Sequence, residues 1–96
     1  MATTTQAPSE AIAVPFININ GTSKNSLLEE NRKARHAISD AHEALSEAGP
    51  HPRDYQGQEA AYQLARRQHV ARLDDLVRIG KELDAIAEHI DAHGSR

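Results

Sequence analysis

Arginine, histidine and tyrosine gather in one stretch of this sequence: Arg53 and Tyr55, then Tyr62, Arg66, His69 and Arg72. These side chains suit an anion. A guanidinium offers a planar fork of donors to phosphate, imidazole and phenol add further donors, and aromatic faces can stack on a base. Steps of three and four residues from Tyr62 to Arg72 put the last four on one side of a helix. Residues 32–72 hold seven Lys/Arg against five Asp/Glu, whereas residues 73–96 hold three against six, in a chain whose net charge is −3. The expectation is a pocket for a small phosphate-bearing ligand, open to water because burying unpaired arginine is costly. The same residues also admit a plainer reading. Arg66 and Arg72 could pair with Asp40, Glu43, Glu47 or Glu59 at exposed edges, each pair contributing under about 1 kcal/mol. Asp54 could cap the second helix or hold Arg53, leaving Tyr55 to lie over a chain reversal.

Other chemistry finds little support. His89 and His93 are four apart, a spacing that can hold a metal, but the pattern supplies no third ligand. There is no HExxH, phosphate-cradling glycine loop or GxSxG, and no pair of titratable residues has a spacing that selects a reaction. The sequence therefore predicts a non-enzymatic protein with no catalytic residues, no metal and no cofactor. The negative net charge argues against general nucleic-acid binding. Cysteine is absent, which excludes disulfides and fits a reducing cytosol. No apolar run reaches the roughly 18 residues that a membrane span needs.

The elements that must carry these residues are helices. Residues 1–15, rich in Thr, Ser and Ala, read as a disordered tail. Residues 16–20 alternate Ile17 and Ile19 with Asn18 and Asn20, the pattern of a short extended segment, and Asn20-Gly21 is a turn signal. Thr22 or Ser23 caps a helix over about 23–48, which ends at Gly49-Pro50. Leu27, Asn31, Ala34, Ile38, Ala41, Leu45 and Ala48 repeat at heptad spacing along it, with Asn31 as the one polar seam position. The loop 49–57 holds two Gly and two Pro, and a second helix covers about 58–92. The fold class is all-α: a long antiparallel helical hairpin over residues 16–93. A symmetric reversal would set Tyr62, Arg66, His69 and Arg72 opposite Leu45, His42, Ile38 and Arg35.

Self-association is the further expectation. Leu73, Leu76, Val77, Ile79, Gly80, Leu83, Ile86, Ala87 and Ile90 cover about 200° of the second helix, whereas one packed neighbour needs a stripe of only about 100°. Apolar residues make up 39% and aromatics 3%, so a lone hairpin buries little. A dimeric four-helix bundle is the simplest helical-bundle oligomer that hides the excess, and Gly80 suggests close helix approach within it. In such an assembly Asn18 and Asn20 could reach a neighbouring subunit's pocket.

Four segments carry a resemblance: Phe16 to Ser23 (FININGTS), Pro50 to Tyr55 (PHPRDY), Gln68 to Arg72 (QHVAR) and Glu82 to Ile90 (ELDAIAEHI). Together they resemble a family of short phage and prophage proteins of no assigned activity, over residues 16–90. The resemblance implies a phage accessory protein acting in the bacterial host cytoplasm and transfers no functional residue. In architecture alone, the expected hairpin is similar to small phage proteins that sequester host cyclic-nucleotide immune signals. The function expected is thus an anti-defence sponge for a ligand such as a cyclic nucleotide. The alternative is a helical protein-interaction module: an inhibitor of a host protein, or a phage assembly adaptor.

Overall fold

The computed structural model describes residues 11–93. The tail expected over residues 1–15 therefore lies mostly outside the described residues. Two helices dominate: α1, Lys24–Glu47, and α2, Glu59–Ala92, of 24 and 34 residues. They pack antiparallel as a hairpin, and no strand is present among the described residues.

Local chemistry sets the helix ends. Ser23 holds extended dihedrals, and its hydroxyl accepts the Ser26 N–H at 3.1 Å, which satisfies one of the free donors of the first turn. Gly49-Pro50 stops α1, as expected. Pro52–Tyr55 then forms one 3-10 turn, with Pro at its start where a missing N–H does no harm. Gln58, the residue before α2, makes no side-chain cap, so the capping role weighed for Asp54 is not realised.

The extended segment expected at residues 16–20 forms no strand. Residues 11–18 have no regular structure, and a turn follows at Ile19-Asn20. Asn18 closes this turn. Its side-chain oxygen accepts the Asn20 N–H at 2.9 Å and its carbonyl accepts the Gly21 N–H at 3.1 Å. An asparagine can satisfy its neighbours in this way, whereas a strand needs an edge to pair with, and helices offer none. Ile17 is half-buried, but Ile19 is 96% exposed and Phe16 92% exposed. The segment lies against α2 at Ile12, which borders a groove with Val77, Lys81 and Ala85.

The register of the hairpin differs from a symmetric reversal. Arg35 lies against Gly80 and Asp84, Lys24 donates to the Asp91 carbonyl at 3.1 Å, and Gly49 faces His69. Residues of α1 thus sit roughly two turns farther along α2 than a tight loop would place them. The loop is the reason. Its 3-10 turn runs alongside the first two turns of α2 before the chain enters that helix, so α2 overhangs the end of α1.

The seam of α1 differs as well. Lys24, Leu27, Leu28, Asn31, Arg35, Ile38, His42 and Leu45 are its half-buried positions, with Gly49 just beyond, while Ala34, Ala41 and Ala48 are exposed. Both choices share Leu27, Asn31, Ile38 and Leu45, and they differ in which flank of that row meets α2. Arg35 shows why the larger residue goes inside. A Cβ on Gly80 would stand 3.0 Å from its Cζ, so glycine leaves the space that the guanidinium crosses. From there Nε donates to Asp84 Oδ1 at 2.9 Å and Nη1 to Ser39 Oγ at 2.7 Å. The expected close approach at Gly80 is therefore filled by a charged side chain rather than by a second backbone.

Burial is thin. Ile90, 1% exposed, is the one fully buried large apolar side chain among the described residues, and Gly80 is the other buried position. Val77, expected on the apolar arc, is exposed, and Leu73, Leu76, Ile79, Leu83 and Ile86 are half-buried. The molecule measures 63 × 33 × 17 Å with a radius of gyration of 18.6 Å, against about 12 Å for a compact chain of this length.

Candidate functional site

At the loop end, Pro50 and Tyr55 lean over α2 and enclose a depression of about 340 Å³ with Ala65, Gln68, His69 and Arg72. Its position follows from the register. Because α2 overhangs α1, its first turns meet the loop, and the loop brings Tyr55 beside α2. The Tyr55 ring packs on Tyr62 at 5.6 Å between centroids with planes tilted by 52°, an arrangement that aromatic quadrupoles favour. Tyr62 thereby supports Tyr55 from outside the depression. Glycine matters here too: a Cβ on Gly49 would stand 3.1 Å from His69 Nε2, so its absence lets the imidazole seat closely against the loop.

The expected residues separate into three groups. Tyr55, His69 and Arg72 line the depression and Tyr62 backs it. Arg53, in the 3-10 turn, and Arg66, on α2, are both exposed and line no part of it. Ala65 takes the inward place foreseen for Arg66. The half-buried positions of α2 run Tyr62, Ala65, His69 and Leu73, one residue off the line through Arg66 and Arg72. A small side chain under the loop avoids burying an unpaired charge. Asn18 and Asn20 lie at the other end of the hairpin, a helix length of about 36 Å away. Within one chain Asn18 is engaged in its own turn. Gln68, which was not among the expected ligand-binding residues, joins the lining because it precedes His69 on the same turn of α2.

Ion pairing does not account for the cations at this end. The pairs present are Glu29–Arg32, Arg35–Asp84, His36–Asp40 and Arg78–Glu82, all elsewhere along the hairpin. Among the described residues, Arg53, Arg66 and Arg72 have no carboxylate within 4.0 Å, and Glu59 instead accepts from Gln63 at 2.7 Å. The pairings weighed for Arg66 and Arg72 with Asp40, Glu43, Glu47 or Glu59 are therefore not formed. Arg72 keeps a free fork of donors at the mouth of a polar depression, beside a histidine and a tyrosine. That arrangement can receive a phosphate oxygen and stack a flat ring.

At the open end, His89 and His93 stack at 4.2 Å between ring centroids, and His93 Nδ1 lies 2.8 Å from the His89 carbonyl oxygen. No group of three or more His, Cys, Asp or Glu among the described residues is placed to hold a metal ion. No helix among the described residues is long and apolar enough to cross a membrane. No protein-family model, curated protein or solved structure matches the chain. The argument for function therefore rests on the residues and their placement.

Proposed function

We propose that this is a phage-encoded, non-enzymatic binding protein of the bacterial host cytoplasm, which self-associates and sequesters a small nucleotide-derived immune signal. The observation that carries the reading is Arg72: a guanidinium without a carboxylate partner among the described residues, at the edge of a depression shared with Tyr55 and His69. Arg72 holds a phosphate, His69 and Gln68 supply further donors, and Tyr55, braced by Tyr62, stacks on a base. Arg53 and Arg66, exposed nearby, raise the local positive potential without touching the ligand. Asn18 and Asn20 contribute only if another copy brings them to this end. Capture alone silences the signal, and no turnover is required.

The test is a thermal-shift and titration panel of cyclic dinucleotides, cyclic trinucleotides and ADP-ribose derivatives. At a ligand concentration of 100 times Kd, binding stabilises the fold by about 2.7 kcal/mol. Arg72→Ala abolishes the shift while the helical circular dichroism is retained. A null result across the panel, or full binding by Arg72→Ala, refutes the reading.

A second reading is a protein-interaction module, favoured by Phe16 and Ile19 standing 92% and 96% exposed. It predicts one stoichiometric protein partner captured from host lysate, with no response to the nucleotide panel.

A further inference from the structure

Residues 11–23, AIAVPFININGTS, contain no charged side chain, although 26% of the whole chain is charged. This arm carries the only Phe of the protein, and it holds Phe16 and Ile19 almost wholly in water, while Ile17 is half-buried. An uncharged arm with two large apolar side chains cannot be steered by phosphate backbones or anionic lipid. It suits an apolar cleft.

One such cleft lies in the same half of the hairpin, between α1 and α2. Half-buried Leu28, Asn31, Arg35 and Ala87 form its floor, exposed Arg32, His36, Ser39 and Asp84 stand on its rim, and its volume is about 490 Å³. Leu28 and Ala87 set inside a polar rim give the patterning usual at a protein interface.

Surface area and symmetry favour another copy as the occupant. The chain exposes 7191 Å², whereas a compact protein of 10.5 kDa exposes about 5,400 Å². The excess is larger than the roughly 800 Å² that each partner contributes to a standard interface. Arm and cleft belong to one half of one molecule, so two copies can exchange arms about a two-fold axis and satisfy both at once.

We propose that Phe16 and Ile19 of one copy dock in the Leu28–Asn31–Ala87 cleft of a second copy, and that this reciprocal exchange holds the assembly together. The proposal rests on the self-association reading and adds to it the segment and the receptor. It does not depend on the nucleotide pocket at the opposite end.

Sedimentation of the full chain and of a Phe16→Ser/Ile19→Ser variant tests it. Both side chains are exposed within one copy, so the variant keeps its helical circular dichroism. Its self-association weakens at least about tenfold. Cysteine is absent from the chain, so a second measurement is clean. A Phe16→Cys variant and an Ala87→Cys variant are mixed under mild oxidation. A disulfide joining the two substituted positions, identified by mass spectrometry, can form only between copies and supports the exchange. Mixing Phe16→Cys with Ala60→Cys, at the loop end, yields no such bond. A wild-type monomer at micromolar concentration overturns both the proposal and the self-association it rests on. An intact oligomer that shows no such disulfide, or that tolerates the double serine change, overturns the arm exchange alone.

Discussion

Gly80 and Arg35 should be coupled energetically, and the sign of that coupling follows from their geometry. A glycine inside a helix costs about 1 kcal/mol relative to alanine. Gly80→Ala would recover that amount if the space were empty. It is not: the added Cβ would meet Arg35 Cζ at 3.0 Å, Nη1 at 3.1 Å and Nε at 3.3 Å. The guanidinium must shift by a few tenths of an ångström, which weakens its 2.9 Å bond to Asp84 and its 2.7 Å bond to Ser39. Those side chains are partly in water, Arg35 at 36% and Asp84 at 52%, so the ion pair contributes no more than about 1 kcal/mol. Loss and gain then nearly cancel, and Gly80→Ala in the otherwise wild-type chain changes stability by less than about 0.5 kcal/mol. In an Arg35→Ala background the space is vacant. The same change then stabilises by about 1 kcal/mol, roughly fivefold in the folding constant, or about 4–8 °C in Tm. Urea unfolding followed by circular dichroism measures all four corners of the cycle. Protein concentration must be held constant, because association shifts apparent stability. An equal effect of Gly80→Ala in both backgrounds would show that Arg35 does not fill the space over residue 80.

Two further outcomes follow from burial and charge. Ile90 is 1% exposed and Leu64 47% exposed, so Ile90→Ala should cost about 2–5 kcal/mol, while Leu64→Ala should cost under about 1 kcal/mol; similar costs in urea unfolding would refute the single-residue core. Glu29 is held below the usual carboxylate range, chiefly by its hydrogen bond with Arg32 and then by that residue's positive charge. A depressed carboxylate contributes stability that is fully present above its unfolded pKa and is lost as pH falls through its folded pKa. The contribution is slight at so exposed a pair, so the readout is an NMR titration of the Glu29 carboxyl carbon. Its midpoint should rise in Arg32→Ala, and an unchanged midpoint would disprove the assigned cause.

Much of the architecture was legible from local signals. A helix expected over about 23–48 is observed at Lys24–Glu47, and one expected over about 58–92 is observed at Glu59–Ala92. Helix formation is governed by contacts three and four residues apart and by end signals such as Ser23 and Gly49-Pro50, all of which are present in the sequence itself. The same locality makes Tyr55, His69 and Arg72 recognisable as anion-binding types. It also explains why residues 16–20 misled: alternation suggests a strand, but the Asn18 turn is just as local and needs no partner.

Which flank of each helix faces inward is a different kind of question. Ala34 and Arg35 are neighbours on α1, as Ala65 and Arg66 are on α2, and periodicity alone does not choose between them. Rotation of each helix about its own axis made that choice and left Arg66 in solvent. Register, displaced by a 3-10 turn that runs along α2 instead of reversing at once, set Arg35 over Gly80 and carried Tyr55 to His69 and Arg72. The chain's own spacing was enough to determine two helices, their ends and the residue types able to hold a phosphate. Only tertiary packing decided which of those residues meet, because contact between distant positions depends on how two helices slide past one another, and no single helix carries that information.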